Sequence, residues 1–166
     1  MLKILFVCTG NTCRSPLAEI FARQILKENG IPAEVVSAGT SLLENDSTTW
    51  QYEVHVIAKE RNLDTQNHHA QPVTEDMLEQ MDLILAMDSF HLSIMRKMCP
   101  DELREAFDAK AFLFKQYLER PTEGNMNLNV PDPFGYGSAR YRQVAKDIEH
   151  ALTFLPERLR ENGLFP

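Results

Sequence analysis

The chain has 166 residues, of which 43% are hydrophobic and 25% are charged, as is usual for a soluble globular protein. We expect residues 1–166 to form one domain with a sizeable core. The net charge of -7 argues against nucleic acids and anionic membranes as partners. No apolar run is long enough to span a bilayer, and an odd count of three cysteines does not suggest a disulfide framework, so we predict a cytoplasmic protein.

The N-terminal stretch combines a buried strand, a short polar loop and the start of a helix. Apolar residues from Ile4 to Val7 predict the strand, which stops at Cys8. Ser15 is a good N-cap and Pro16 is tolerated at the first helical position, so a helix is predicted from about residue 15 to 29. Open α/β sheets bind their ligands at such a strand end.

The chemistry of this loop suits an oxyanion. A helix N-terminus presents unpaired N–H groups, and Gly10 and Asn11 tolerate the positive φ angles that turn further N–H groups inward. Arg14 can add two parallel hydrogen bonds, and a thiolate at Cys8 is stabilised by the same field. Either residue alone fits a buried small side chain or a surface charge. Together, at this spacing, they predict an activated nucleophile.

The remaining chain predicts an α/β fold with a four-stranded parallel sheet flanked by helices in a three-layer sandwich. Gly30 suits a position just beyond the first helix, and Thr74 and Ser89 suit helix N-caps. Further strands are predicted at 33–39, 82–88 and 109–114. Further helices are predicted at 50–62, after Thr74, from Ser89 to about 98, over 101–106 and from 138 to 162. Pro156 is expected to kink or divide the last of these helices.

A long loop at 119–138, rich in Pro, Gly and Asn, contains the second candidate site residue. Pro131 and Pro133 flank Asp132 and restrict the directions in which it can point. An ordinary turn would also account for an aspartate here.

The segment from Cys8 to Pro16 resembles the Cys-x5-Arg-Ser loop of the low-molecular-weight protein tyrosine phosphatases, and Asp132-Pro133-Phe134 resembles the acid motif of that family. The resemblance implies that Cys8 attacks phosphorus, Arg14 binds the phosphoryl oxygens and Asp132 protonates the leaving group, without a cofactor or metal. The expected phosphate-binding residues are Thr9, Gly10, Asn11, Thr12, Cys13, Arg14 and Ser15.

The resemblance also implies supporting residues and a substrate crevice. Asn11 would brace the loop, Ser37 would bond Asn11, and His68 would support the loop from behind, although Ser37 fits a plain strand end equally well. The next histidine, His69, invites a metal hypothesis, but no further ligand lies at suitable spacing. The crevice is predicted to be lined by Thr12, Leu42, Trp50 and Phe134, with Trp50 alternatively packed on the core.

Thr12 together with Asp-Pro-Phe-Gly is similar to the bacterial protein-arginine phosphatase branch of this family. A small polar Thr12 could admit a guanidinium, and Asp132 could pair with it. One departure is Ser41, where that branch has an aromatic residue that Leu42 or Trp50 would have to replace. We therefore predict a phosphatase acting on phosphorylated proteins, with phosphoarginine as substrate and phosphotyrosine as the alternative. The oligomeric state is left open.

Two other functions are weighed against this one. Thiol-dependent arsenate reductases share a similar loop, but they need further cysteines to pass a disulfide outward, and Cys99 is the sole candidate beyond the loop. A phosphate-binding module would not need a nucleophile. Cys13 lies five residues from Cys8, which raises the hypothesis that oxidation joins the two reversibly and protects the nucleophile; a small buried side chain explains Cys13 equally well.

Overall fold

The computed structural model describes residues 1–42, 51–65, 68–119 and 127–166. Its centre is a four-stranded sheet in the order β2-β1-β3-β4, in which every neighbouring pair is parallel. The strands are β1 (Leu2–Cys8), β2 (Ala33–Gly39), β3 (Leu83–Ala86) and β4 (Ala111–Leu113). The register pairs Cys8 with Gly39 and Val7 with Ala86, so β1, β2 and β3 end side by side.

Helices cover both faces of this sheet, which confirms the predicted fold class. They are α1 (Arg14–Glu28), α2 (Tyr52–Glu60), α3 (Glu75–Gln80), α4 (Ser89–Met98), α5 (Arg104–Asp108), α6 (Phe114–Leu118), α7 (Ser138–Leu152) and α8 (Leu155–Glu161). A 3₁₀ turn at Asp101–Leu103 precedes α5. In the described part of the chain no helix has the length and apolarity needed to cross a membrane.

Alternation along β1 separates two hydrophobic cores. Ile4 and Phe6 are fully buried in the core formed with α1, α2, α6, α7 and α8. Leu5 and Val7 are fully buried in the core on the opposite face, formed with α3, α4 and α5. A central parallel strand needs apolar residues on both faces, which explains the unbroken hydrophobic run in the sequence.

Several predicted boundaries are confirmed and several are wrong. Gly30 has a φ of 66° just beyond α1, and the Thr74 side chain caps α3, as predicted. In contrast, α1 begins at Arg14 with Cys13 as its N-cap, and Ser15 lies inside the helix. The N-cap of α4 is Asp88 and not the predicted Ser89. The Asp88 carboxylate accepts from Phe90 N at 2.8 Å and so caps the first turn of the helix.

The last two boundaries concern the C-terminal half. Phe114 was predicted in a strand, but it begins α6, so β4 is only three residues long. The predicted final helix is divided into α7 and α8, with Pro156 at the start of α8, where its missing N–H is not needed.

Candidate active site

Cys8 ends β1 at the carboxyl edge of the sheet, next to the N-terminus of α1. Its side chain is buried, and its Sγ lies 3.0 Å from Ser15 Oγ. The N-cap residue Cys13 makes no side-chain hydrogen bond to the first turn of α1, so the N–H groups of that turn are available at the loop of residues 8–13. The predicted nucleophile therefore lies beside the positive end of a 15-residue helix.

Asn11 determines the shape of this loop. It has a φ of 52°, and its side chain is completely buried. Its Nδ2 donates to Ser15 Oγ at 2.9 Å and to Ser37 Oγ at 2.8 Å, while its Oδ1 accepts from Gln71 N at 3.0 Å. The predicted contact between Ser37 and Asn11 is present in the structure.

These bonds restrict the direction of every hydroxyl proton around the thiol. Ser37 accepts from Asn11 and donates its own proton to Glu19, a buried carboxylate on α1. Ser15 also accepts from Asn11, so its proton can go only to Cys8 Sγ at 3.0 Å or to the carbonyl of Ala38 at the longer distance of 3.4 Å. The Ser15 hydroxyl can therefore donate to the sulfur, which is the nearer of its two possible acceptors.

Two residues support the loop from outside. His68 Nε2 donates to Asn11 O at 2.8 Å, which is the place predicted for that histidine. Gln71 donates from Nε2 to Ser37 O at 2.9 Å and keeps β2 aligned with the loop. In residues 1–42, 51–65, 68–119 and 127–166, no group of three His, Cys, Asp or Glu side chains could hold a metal.

Gly39 lies so close to the loop that no side chain fits at this position. A Cβ atom there would be 2.6 Å from Thr9 O and 3.1 Å from Asn11 N. The residues that follow continue the contact, with Thr40 N donating to Cys8 O and Ser41 N donating to Thr9 O, each at 3.0 Å. The end of β2 therefore fixes the main chain of the loop.

Arg14 connects the loop to the segment that contains Asp132. Its side chain is buried, with Nη1 donating to Val130 O at 3.0 Å and Nη2 donating to Asp132 Oδ2 at 2.9 Å. Val130 is itself buried and donates from its N to Met87 O at 2.7 Å, just beyond β3. The guanidinium thus brings the predicted acid to the predicted nucleophile's loop.

Asp132 is half exposed, with 51% of its side chain accessible. Its second oxygen, Oδ1, accepts from Phe134 N at 3.1 Å, so a local turn fixes the carboxylate. Phe134 is exposed, as is Tyr136, and both line a shallow groove beside Asp132. Among the other predicted crevice residues, Leu42 is half-buried, and Trp50 lies outside the described residues.

Sequence reasoning missed four side chains of the site: Glu19, His91, Gln51 and Tyr141. His91 on α4 is buried and hydrogen-bonds Thr9 Oγ1 through Nε2 at 2.9 Å. Burial, with the nearby Arg14 charge, lowers the pKa of His91 to about 4. In the described structure its Nδ1 is buried without a hydrogen-bond partner.

Gln51 and Tyr141 reach the loop at Thr12. Gln51 Nε2 donates to Thr12 Oγ1 at 3.1 Å, and the Tyr141 hydroxyl donates to Gln51 Oε1. No local pattern marks these residues, because each contacts the loop from a different, distant part of the chain. A glutamine before a helix and a tyrosine on an apolar helix face have no distinctive sequence signal.

The three cysteines have separate surroundings. Burial, together with negative charge at Cys8 and Asp132, raises the pKa of the Cys13 thiol far above its ordinary value, so Cys13 does not compete as a nucleophile. Cys99 is buried in the core on the opposite face of the sheet from Cys8. That placement speaks against a thiol relay from Cys8 to Cys99, while the Cys8–Cys13 disulfide stays a hypothesis.

The arrangement can carry out displacement at a tetrahedral oxyanion. A buried sulfur lies beside a helix N-terminus, a guanidinium lies next to it, and a half-exposed carboxylate lies on the solvent side. The first can act as a nucleophile, the second can neutralise equatorial oxygens, and the third can supply a proton.

Comparison with known proteins agrees with this geometry. Residues 3–164 match the family model described as low molecular weight phosphotyrosine protein phosphatase. The chain is 32% identical to the protein-arginine-phosphatase of Bacillus subtilis, over 97% of this chain and 99% of that protein. It is 33% identical to a low molecular weight protein-tyrosine-phosphatase of Streptomyces coelicolor, over 96% of this chain and 94% of that protein.

A solved structure resembles the whole fold. It is a cysteine-to-serine mutant of the YwlE arginine phosphatase with a phosphorylated active-site serine. The TM-score is 0.81 at 31% sequence identity, and the match covers 96% of each chain.

Proposed function

The chain belongs to the low molecular weight phosphotyrosine protein phosphatase family, and we propose that it hydrolyses phosphoarginine side chains of proteins through a phosphocysteine at Cys8. As a member of this family it is a protein phosphatase. The proposal adds the substrate, the covalent intermediate and the roles of individual residues. Phosphotyrosine is the alternative substrate.

In the first step, the thiolate of Cys8 attacks phosphorus in line with the bond to the leaving nitrogen. The Sγ–P bond forms while the P–N bond breaks, and protonated Asp132 gives its proton to the departing guanidine nitrogen. The N–H groups of the loop and the Arg14 guanidinium stabilise the three equatorial oxygens. The short distance from Ser15 Oγ to Sγ supports a hydroxyl donor that stabilises the thiolate.

In the second step, the ionised Asp132 takes a proton from water, and that water attacks the phosphorus. The Sγ–P bond breaks, inorganic phosphate leaves, and Cys8 returns to the thiolate with Asp132 protonated. The pairing of Arg14 with Asp132 supports this sequence, because it holds the acid at the rim of the loop in the resting protein. The phosphorylated serine named in the YwlE mutant supports an intermediate at the equivalent position.

Thr12 is the observation that supports phosphoarginine as substrate. Its hydroxyl lies on the loop and is held by Gln51, so the position is polar and small. A planar guanidinium can donate an N–H to this oxygen, whereas a phenol ring has no N–H to donate. Asp132 pairs with the Arg14 guanidinium in the resting protein, and this supports a similar pairing with the guanidinium of a substrate.

The relatives alone do not separate the two substrates, because one named as an arginine phosphatase and one named as a tyrosine phosphatase are about equally similar. The decisive test compares kcat/KM for two peptides of matched sequence, one with phosphoarginine and one with phosphotyrosine. We expect the wild-type protein to prefer phosphoarginine. Replacement Thr12→Ile should lower the phosphoarginine-to-phosphotyrosine ratio by about tenfold or more, because it removes the hydrogen-bonding group.

The matched control is Thr153→Ile, since Thr153 is exposed at the end of α7. It should leave the ratio unchanged. A wild-type preference for phosphotyrosine, or a ratio that does not respond to Thr12→Ile, would refute the assignment of phosphoarginine.

The covalent intermediate needs its own experiment. Rapid acid quench of the protein mixed with a ³²P-labelled substrate should trap label on the protein, and mass spectrometry should locate it at Cys8. Cys8→Ala should trap no label and should lower turnover by roughly 10⁴-fold or more. Turnover without label, or activity retained in Cys8→Ala, would contradict the phosphocysteine mechanism.

A further inference from the structure

The Thr12 hydroxyl is held by two residues outside the phosphate-binding loop. Gln51 Nε2 donates to Thr12 Oγ1 at 3.1 Å, and Gln51 N donates to Thr12 O at the same distance. Behind Gln51 lies Tyr141, a buried residue of α7 whose hydroxyl donates to Gln51 Oε1. The three residues come from the loop, the start of α2 and the start of α7, so they form a tertiary connection.

Resting on the proposed function, we propose that Gln51 and Tyr141 are positioning residues that set the preference for phosphoarginine by fixing the Thr12 hydroxyl. A hydroxyl has one proton and two lone pairs. The Gln51 amide occupies one lone pair, so a second lone pair remains to accept an N–H from a substrate guanidinium. With that bond in place, the Thr12 side chain is held in one rotamer before substrate arrives.

Tyr141 determines which end of the Gln51 amide faces Thr12. Because the tyrosine hydroxyl donates to Oε1, the NH₂ group is directed at Thr12. Burial, with negative charge at Glu53 and Asp132, raises the pKa of Tyr141 to about 12, so the hydroxyl keeps its proton near neutral pH. Without it the amide could turn over, and Thr12 would then have to donate its proton to Oε1.

The main-chain bond makes the side-chain role separable from a structural one. Gln51 N would still donate to Thr12 O in any variant with a different side chain at position 51, so the start of α2 would stay attached to the loop. Gln51→Met has a side chain of similar length with no amide. It therefore removes the amide contacts to the Thr12 and Tyr141 hydroxyls and keeps the main-chain bond.

The test measures kcat/KM for the matched phosphoarginine and phosphotyrosine peptides. Gln51→Met should lower the value for phosphoarginine about tenfold more than the value for phosphotyrosine, because one positioned hydrogen bond contributes about that factor. Tyr141→Phe should move the ratio in the same direction by about threefold. Gln24→Met, at an exposed glutamine of α1, is the matched control and should leave the ratio at the wild-type value.

A double-mutant cycle with Thr12→Val tests whether Gln51→Met changes the substrate ratio through the Thr12 hydroxyl. In the Thr12→Val background, Gln51→Met should not change the ratio further, since the hydroxyl that it positions is gone. Equal losses for both substrates, or an unchanged effect in that background, would assign Gln51 a purely structural role and overturn the inference.

The failure of this inference differs from the failure of the proposed function. If Thr12→Val lowers the ratio but neither Gln51→Met nor Tyr141→Phe does, Thr12 acts alone and only the positioning role is wrong. If the wild-type protein does not prefer phosphoarginine, the proposed substrate is wrong, and the positioning role is rejected with it. Urea unfolding of each variant shows whether a lost activity reflects lost folding.

Discussion

The two loops that form the site are held in place by different means. Every residue of the loop of residues 8–13 is buried or half-buried, and Asn11 holds the loop through bonds to Ser15 and Ser37. The segment around Asp132 is more open, with Asp132 half exposed and residues 134–138 exposed, and Arg14 bonds this segment to the start of α1. From this difference we infer that buried residues fix the oxyanion site, whereas the proposed proton donor, Asp132, lies at the surface. There it can exchange its proton with substrate and water.

The strongest way to test this inference is to change the acid alone. Asp132→Asn should lower kcat on the order of 10²–10⁴-fold, because an amide cannot supply the proton. The loss should shrink for aryl phosphates with good leaving groups, which need less protonation. Because Asp132 is half exposed, the free energy of unfolding should change by less than about 1 kcal/mol. Steady-state kinetics and urea unfolding measure the two quantities.

Asp108→Asn is the control for Asp132→Asn. Asp108 is also a half-exposed aspartate paired with an arginine, Arg96, but it lies away from the site, on α5. It should keep wild-type activity. If Asp132→Asn were as active as this control, the acid would have to be another residue.

A change in the buried loop should affect stability as well as activity. Asn11→Ala leaves Ser15, Ser37 and Gln71 N without their bonds to the amide and places alanine at a φ of 52°. We expect the free energy of unfolding to fall by about 3–4 kcal/mol, the sum of unsatisfied buried groups and left-handed backbone. Urea denaturation provides the measurement.

Asn62→Ala separates the two contributions to that loss. Asn62 has a similar φ of 55°, but it is exposed at the end of α2. Its replacement should lower stability by about 1 kcal/mol, through the backbone alone. Equal losses for Asn11→Ala and Asn62→Ala would show that the buried hydrogen bonds add nothing.

His91 gives the smallest of the three effects and connects the loops to α4. The folded protein holds it neutral, with a pKa lowered to about 4 by burial and by Arg14, while Asp88 and Asp132 oppose that shift. The unfolded chain protonates it below its ordinary pKa of about 6.5. Stability should therefore fall as the pH falls from about 6.5 to about 4, by on the order of 2 kcal/mol from this residue.

Urea unfolding at pH 7 and pH 4.5 tests the His91 prediction. His91→Gln can still hydrogen-bond the Thr9 hydroxyl but does not titrate, so its loss of stability between the two pH values should be smaller than that of the wild-type protein. His55→Gln, at an exposed histidine, is the control and should follow the wild-type protein. A wild-type pH dependence in His91→Gln would mean that other groups account for it.

The sequence predicted the site best where the signal is local. Cys8 and Arg14 lie within one short stretch, so periodicity and loop chemistry were enough to predict the strand and helix around them and to select both residues as candidates. The role of Asp132 could be predicted only from the family resemblance, because its neighbours in the sequence do not distinguish it from an aspartate in an ordinary turn. Its partner Arg14 is 118 residues away in sequence.

The wrong and missing assignments concern side chains for which several hydrogen-bond partners compete, and only the folded chain decides which partner is bonded. Ser15 looked like an N-cap, but its hydroxyl is taken by Asn11 and Cys8, so the helix begins one residue earlier. Glu19 looked like one more helical acid, yet it accepts the proton of Ser37 from inside the core. Such assignments depend on which partner is within reach, and sequence periodicity carries no information on that.

Gly39 has a consequence for how this enzyme can diversify. The Thr9 carbonyl occupies the space where a side chain at position 39 would lie. Glycine is therefore required there, whichever substrate the protein acts on. Thr12 is half-buried and Phe134 is exposed, so side chains of other sizes can be accommodated at these two positions. New substrate specificities would then be expected to arise through substitutions at Thr12 and around Phe134, while Gly39 and the loop that it contacts stay unchanged.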